Sequence, residues 1–181
     1  MTYPIHTLRS APDASQPVLA QLQQTFGLIP NIAGAMANSP ELLKGFLDLF
    51  QQVHSGTFTE AEIQTLLLTN AVTNACNWAV AFHTMLALKE GLTETDVDAI
   101  RARILPTDAR LKALSHLARK LIETRGHVPA QDLDGFIKAG FTLAQSLEVI
   151  AVIAASTITN YVGTITQPPL EDFLQPHAWR N

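Results

Sequence analysis

The sequence contains little cysteine and few charged residues, and each shortage excludes some kinds of site or partner. Its 181 residues contain one cysteine, Cys76, so an internal disulfide and a cysteine-rich metal site are excluded. Charged residues make up only 15% of the chain, give a net charge of -4 and form no dense lysine and arginine cluster. These properties argue against nucleic acid as a partner.

The sequence also lacks a recognisable targeting or membrane-spanning segment. Its first residues have no basic stretch followed by an apolar stretch, which is the pattern of a signal peptide. We therefore predict a cytoplasmic protein. The longest apolar run, residues 143–162, is interrupted by polar residues, so it is interpreted as a buried helix and no membrane partner is predicted.

Helix signals are abundant, whereas the alternating pattern of a half-buried strand is missing. The chain is 47% apolar and long enough to bury a core. Helix starts are indicated where a capping side chain precedes an apolar periodic run; these residues are Ser39, Thr59, Thr93, the pair Thr107 and Asp108, and Thr142. We predict an all-α single domain of about six to eight helices. We expect an N-terminal extended segment over residues 1–25, a helical domain over 26–166, and a tail over 167–181 packed on the domain.

Residues with chemical potential are concentrated between Asn74 and His83. Asn74 can cap a new helix after a kink, which would place Cys76 in the first turn, where the helix dipole lowers a thiol pKa. The alternative is that Cys76 is a small buried hydrophobe. His83 is likewise either a proton-transfer group or a buried histidine with a satisfied hydrogen bond.

This segment resembles the carboxymuconolactone decarboxylase and alkylhydroperoxidase D (AhpD)-like family. Redox members of that family carry a glutamate, then eleven residues, Cys-x-x-Cys, three residues and a histidine. The corresponding positions here are Gln64, Cys76, Ala79 and His83. The likeness covers roughly residues 26–179 and implies an AhpD-like helical bundle that assembles as a homo-oligomer, a trimer or hexamer.

Two of these four positions depart from the family pattern. Ala79 removes the second thiol, so the dithiol mechanism of the redox members is excluded. Gln64 replaces the glutamate, and an amide cannot accept a proton at neutral pH. Seven residues separate Cys76 from His83, about 10.5 Å along a straight helix, so a kink, a water or a neighbouring helix would be needed to couple them. Cys76, His83 and Gln64 are the predicted catalytic residues.

Other side chains near this motif are candidates for lining a substrate pocket. Trp78 and Phe82 lie four residues apart, on either side of Ala79, and Asn160 lies in the stretch that resembles the family's Asn-Tyr signature. Each has a structural alternative, as a core or interface aromatic or as a buried amide joining two helices. Glu62 is assigned to a capping box with Thr59.

No metal site and no cofactor are predicted. The remaining histidines have no spacing that suggests metal binding or catalysis; they are His6, His54, His116, His127 and His177. Phosphate-binding glycine loops and a Gly-x-Ser-x-Gly nucleophile motif are also absent from the sequence.

Three functions are compatible with these residues. The first is a single-cysteine peroxidase-type oxidoreductase, in which Cys76 reduces a hydroperoxide and an external thiol restores it, as the resemblance implies. The second is a non-redox decarboxylase or isomerase of a small lactone acid that uses His83 for proton transfer. The third is a catalytically inactive oligomer that binds a small molecule.

Overall fold

The computed structural model describes residues 2–180, and over this range the protein is all-α, as predicted. Nine α-helices are present within these residues, with short 3-10 helices at Asp13–Ser15 and Asp172–His177. The α-helices are α1 (Gln16–Phe26), α2 (Asn31–Met36), α3 (Pro40–His54), α4 (Glu60–Thr73), α5 (Asn77–Lys89), α6 (Glu94–Arg101), α7 (Ala109–Glu123), α8 (Ala130–Lys138) and α9 (Leu143–Thr166).

The predicted capping residues begin the helices as expected. Each accepts a hydrogen bond from a backbone N–H of the first turn; they are Ser39, Thr59, Thr93, Asp108 and Thr142. Glu62 completes the capping box of α4 and also pairs with Arg110 at 2.7 Å. These contacts give Glu62 the structural role that the sequence predicted.

The structure corrects the expected N-terminal segment and the number of helices. Residues 16–25, expected to be extended, belong to α1, which has a proline in its first turn and is capped by Gly27 with a φ of 76°. The apolar run over residues 60–89 is divided into α4 and α5 by a break at 74–76, where a kink was predicted. With α1, residues 2–180 contain nine α-helices, one more than the six to eight expected.

Helix α4 lies at the centre of the fold. Every residue from Glu62 to Val72 is buried, because α5, α7 and α9 pack around it. A helix enclosed on all sides needs no polar face, which explains why no amphipathic pattern is visible in this part of the sequence. Any α4 side chain that lines a cavity is therefore held by a rigid helix.

The last helix and the tail complete the packing around this centre. One face of α9 is buried against α3, α4 and α5, and the opposite face is exposed. By length and composition α9 could cross a membrane. Because one of its faces is exposed, α9 is not the fully buried helix expected from the sequence. The tail then lies along α5 through its 3-10 helix.

Candidate active site

Cys76 is positioned by a sharp break between α4 and α5. Asn74 ends α4, and Ala75 adopts a left-handed conformation with a φ of 54°. The N–H of Cys76 donates to the carbonyl of Ala71 at 3.0 Å and that of Ala75 to the carbonyl of Val72 at 3.2 Å, the pattern of a Schellman motif. Cys76 is therefore the residue that precedes α5, and the predicted kink is present without Asn74 acting as the N-cap.

The environment of the Cys76 thiol is apolar and closed. The side chain is buried, and a Cβ atom built on Gly163 of α9 would lie 2.6 Å from the sulfur. Burial raises the pKa of the Cys76 thiol, and the backbone N–H groups of Ala79 and Trp78 counteract this effect only in part. The lowered thiol pKa expected from a position in the first helical turn is not found.

His83 is hydrogen-bonded to Gln64, a pairing that the family resemblance implied. The Oε1 atom of Gln64 lies 3.0 Å from Nδ1 of His83, and both side chains are buried. An amide oxygen is an acceptor, so Nδ1 carries the proton and donates it to Gln64. Nε2 of His83 is then the unprotonated ring nitrogen, and its lone pair is left without a partner among residues 2–180.

His83 is electrically neutral over the physiological pH range. Burial, with a smaller contribution from the charge of His54, lowers the pKa of His83 to about 3. The partner amide does not offset this shift, because Gln64 has no negative charge to stabilise an imidazolium ion. His83 therefore acts as a hydrogen-bond acceptor, and any proton that it takes is held only transiently.

A cavity of about 330 Å³ opens beside this pair, a size typical of small-molecule sites. Its wall includes four of the predicted site residues: Gln64, His83, Trp78 and Phe82. Most of the remaining lining is apolar side chains of α1, α2 and α3, with Leu86 from α5. The chemistry of this cavity therefore depends on a small number of polar groups.

Three predicted site residues are not part of the cavity wall, which is a correction to the sequence analysis. Cys76, Ala79 and Asn160 are absent from the lining. Cys76 is enclosed by α5 and α9, and Ala79 is fully buried between helices. The sulfur and the His83 imidazole therefore do not share the space in which a substrate would lie.

Asn160 joins two helices instead of lining the cavity. Its Nδ2 donates to Oδ1 of Asn70 at 3.0 Å, which connects α9 to α4, while Asn70 donates to the carbonyl of Ile153 at 3.0 Å. Asn74 donates to the same Oδ1 atom of Asn70. These contacts match the structural interpretation of Asn160, a buried amide that joins two helices.

Trp78 and Phe82 form an aromatic wall whose orientation depends on the C-terminal tail. Their rings are stacked with centroids 4.9 Å apart. The indole N–H of Trp78 donates to Glu171 at 3.0 Å, and the other carboxylate oxygen of Glu171 accepts from the backbone N–H of Asn31 at 2.7 Å. Glu171 thereby holds α2 and α5, on two sides of the cavity, at a fixed separation.

Among the polar residues of the cavity that the sequence analysis missed, His54 and Glu60 form a pair. Nδ1 of His54 lies 3.0 Å from both carboxylate oxygens of Glu60, and both residues are part of the cavity wall. Their spacing matches no catalytic motif, since His54 ends α3 and Glu60 begins α4 across a loop. The only signal in the sequence was a histidine and a glutamate on opposite sides of a short helix connection.

Metal-ligating side chains are not clustered in the part of the chain that is described. Within residues 2–180, no group of three or more histidine, cysteine, aspartate or glutamate side chains could hold a metal ion.

Comparison with known proteins gives a family match and several structural likenesses. Residues 40–120 match the model of the carboxymuconolactone decarboxylase family, a range that contains Gln64, Cys76, Ala79 and His83. No curated protein matches the chain by sequence.

Solved structures with a similar fold cover nearly the whole chain. An AhpD-core, peroxidase-related protein from Ralstonia eutropha JMP134 is 19% identical with a TM-score of 0.84, covering 95% of this chain and 93% of that one. A peroxidase-related protein from Silicibacter sp. TM1040 is 18% identical with a TM-score of 0.79, covering 96% and 92%. A Cys-to-Ala variant of the debrominase Bmp8, in complex with 2,3,4-tribromopyrrole, is 16% identical with a TM-score of 0.76, covering 98% and 95%. At these identities the likeness shows the fold.

Proposed function

We propose that this protein, whose residues 40–120 match the carboxymuconolactone decarboxylase family and whose helical fold is AhpD-like, is a non-redox enzyme. It would move a proton on a small, neutral, largely apolar molecule. The observation that carries this proposal is the Gln64–His83 hydrogen bond at the wall of a cavity from which Cys76 is absent. The free lone pair on Nε2 of His83 accepts a hydrogen bond from the substrate and takes part in its proton transfer.

The charges around the cavity favour a neutral substrate. The described lining contains no lysine or arginine, whereas it includes the acidic residues Glu60 and Glu90. His83 is neutral because burial lowers its pKa to about 3, so it cannot pair with a carboxylate. A lactone or other carbonyl compound without an acid group therefore fits better than the lactone acid suggested by the sequence.

The size and shape of the wall favour a small flat molecule. The stacked rings of Trp78 and Phe82 offer an aromatic surface beside His83, whose ring lies 5.5 Å from that of Phe82. The ligand of the debrominase structure, 2,3,4-tribromopyrrole, is also a small aromatic molecule. That likeness supports a neutral, ring-shaped substrate class for this chain.

A test substrate with these properties is an unsaturated γ-lactone without a carboxylate, such as α-angelica lactone, whose isomerisation moves one proton. We expect the purified protein to catalyse this double-bond shift, followed by ultraviolet absorbance, and His83→Ala to reduce kcat/KM by about 10²-fold or more. The matched control is His127→Ala, because His127 is an exposed histidine outside the cavity. Cys76→Ser is expected to retain activity.

The outcomes of this test separate the functions considered. Turnover that survives His83→Ala would overturn the proposal. Binding of the lactone without turnover, unchanged by either variant, would favour a binding protein without catalysis.

A second candidate function is single-cysteine reduction of hydroperoxides. It is favoured by the position of Cys76 at the start of α5, where the N–H groups of Trp78 and Ala79 stabilise a thiolate. The thiolate would attack the distal peroxide oxygen, releasing an alcohol and leaving a sulfenic acid that two equivalents of an external thiol reduce. Consumption of cumene hydroperoxide by the wild type, lost in Cys76→Ser and kept in His83→Ala, would support this function over proton transfer.

A further inference from the structure

Three polar side chains of the cavity wall are more than nine-tenths buried, and they come from three different helices. Gln64 lies on α4, His83 on α5 and Thr159 on α9, with exposed fractions of 3%, 3% and 6%. The other amide, hydroxyl, carboxylate and imidazole side chains of the described wall are exposed or half-buried; they are Gln21, Thr25, Gln51, His54, Glu60 and Glu90. The most buried polar groups of the cavity are therefore one amide, one imidazole and one hydroxyl.

The hydroxyl of Thr159 makes no hydrogen bond within residues 2–180. A helical threonine often donates to the carbonyl four residues earlier, and Thr164 and Thr166 of the same helix do so at 2.9 and 2.8 Å. Thr159 forms no such bond, although its side chain is buried. Its hydroxyl is therefore free to bond to a molecule that enters the cavity.

The amide of Gln64 uses only one of its two ends. Its Oε1 atom accepts the hydrogen bond from Nδ1 of His83. Its Nε2 amino group, which carries two hydrogen atoms to donate, makes no hydrogen bond to any described residue. Because buried polar groups are nearly always hydrogen-bonded, a free amino group at a cavity indicates a ligand with an acceptor atom.

These unpartnered atoms can be reached from the cavity. Among the described side chains that are not exposed, two unpartnered nitrogen or oxygen atoms are fully enclosed, namely Nε2 of His54 and Oδ1 of Asn160. Nε2 of His83, Nε2 of Gln64 and Oγ1 of Thr159 also lack partners but are not fully enclosed. Each of these three atoms therefore keeps accessible surface on a residue that lines the cavity.

The three groups have complementary hydrogen-bonding chemistry. Nε2 of His83 is an acceptor, whereas the amino group of Gln64 and the hydroxyl of Thr159 are donors. All three are uncharged at neutral pH. Two donors and one acceptor fit a neutral carbonyl compound, whose oxygen accepts two hydrogen bonds while a C–H bond on the neighbouring carbon faces the imidazole.

We propose that the amino group of Gln64 and the hydroxyl of Thr159 form an oxyanion-binding pair, which holds the carbonyl oxygen of the substrate while His83 moves its proton. This inference rests on the proposed function, because it uses the same cavity and the same base. Thr159 is then a catalytic residue, and Gln64 has a second role besides orienting His83. The substrate class is a neutral lactone or ketone with a hydrogen atom on the carbon next to the carbonyl.

The proton-transfer step balances without a co-reactant. The C–H bond next to the carbonyl breaks, and the proton moves to Nε2 of His83. The electron pair of that bond is delocalised onto the carbonyl oxygen, and the negative charge of the resulting enolate is stabilised by the two donors. His83 then returns the proton to the carbon at the far end of the conjugated system, so the double bond shifts and nothing is oxidised or reduced.

Stabilisation of the oxygen matters because His83 is a weak base. Burial lowers the pKa of His83 to about 3, so a carbon-bound proton moves to it only if the enolate is stabilised at the same time. Preorganised donors in a closed site supply this stabilisation. The amide at position 64 fits the same requirement, since a carboxylate there would accept from His83 but would repel the enolate.

The binding part of the proposal can be tested without turnover. The probe is γ-valerolactone with an isotopically labelled carbonyl carbon, a saturated lactone that cannot undergo the double-bond shift. Hydrogen bonds lower the infrared stretching frequency of a carbonyl, so we expect a lower frequency for the bound probe in the wild type than in Thr159→Val or Gln64→Glu. Thr159→Ser keeps the hydroxyl and should keep the low frequency. Thr157→Val is the matched control, because Thr157 lies on the same helix outside the cavity wall.

The catalytic part is tested by isomerisation of α-angelica lactone. Loss of one oxyanion donor typically lowers kcat by about 10²-fold or more, so we expect that loss in Thr159→Val with little change in KM. Thr159→Ser should recover most of the activity, and Thr157→Val should retain it.

Three results would overturn the assignment: a wild type that does not bind the saturated lactone, an unchanged carbonyl frequency in Thr159→Val, and equal effects of Thr159→Val and Thr157→Val. Failure of the proposed function is distinguishable, because it would be seen as isomerisation that survives His83→Ala. In that case the carbonyl frequency of the bound saturated lactone would still depend on Thr159.

Discussion

Gln64 and His83, nineteen residues apart on α4 and α5, are joined by a buried hydrogen bond of 3.0 Å. A glutamate at the same position would add a negative charge beside Nδ1. We expect Gln64→Glu to raise the pKa of His83 well above its value of about 3, because a carboxylate stabilises the imidazolium ion. Titration of the ring nitrogens by NMR measures this shift. Gln64→Met, which removes the hydrogen bond without adding charge, is the control and should not raise the pKa.

His83 should also make the protein sensitive to acid. Its pKa is about 3 in the folded state against an ordinary value of 6.5, so the unfolded chain takes up a proton first as the pH falls. Stability is therefore unaffected above pH 6.5 and is lost below it, by about 3 kcal/mol at pH 4. Urea unfolding at pH 7 and pH 4 should show a smaller difference in His83→Gln than in the wild type. An equal difference in both would contradict the shift, and exposed His127→Gln serves as the control.

The Cys76 thiol should react slowly in the native protein. Burial raises its pKa above the ordinary 9.0, and each unit of increase lowers the thiolate fraction at neutral pH about tenfold. We expect alkylation by iodoacetamide at pH 7.5 to be at least about tenfold slower than in urea. The matched control is Asn77→Cys in a Cys76→Ala background, because Asn77 is the exposed neighbour. Rapid modification of native Cys76 would instead favour the peroxidase-type function.

Gly163 and Cys76 should be energetically coupled. A methyl group at Gly163 would lie 2.6 Å from the sulfur, so Gly163→Ala should reduce the free energy of unfolding by about 1–3 kcal/mol. In a Cys76→Ala background the sulfur is absent, and the same substitution should cost clearly less. Denaturant unfolding of the two single variants and the double variant measures the coupling. Additive effects would show that the two residues are not in contact.

Local features of the sequence predicted the helices well, and the reason is physical. A capping box such as that of Thr59 and Glu62 joins residues only three positions apart. Its hydrogen bonds therefore do not depend on the rest of the fold. The break after Asn74 was harder to place, since Ala75 occupies a left-handed conformation that usually indicates glycine.

The candidate site was predictable only in part. Gln64 and His83 were implied by the family resemblance, and the structure brings them together. The separation of Cys76 from the cavity and the presence of His54 and Glu60 depend on how α3 and α9 pack against α4 and α5. Contacts between helices that are distant in the chain leave no short-range pattern in the sequence.

The carboxylate of Glu171 has a practical consequence for work on this protein. It connects the indole of Trp78 and the backbone of Asn31, 93 and 140 residues away in the chain. An affinity tag fused close to the C-terminus, or a shortened protein that ends before residue 171, would disturb the walls of the cavity. The polar side chains proposed to carry the chemistry would be unchanged. Ligand screens should therefore use the full chain with any tag placed at the other end.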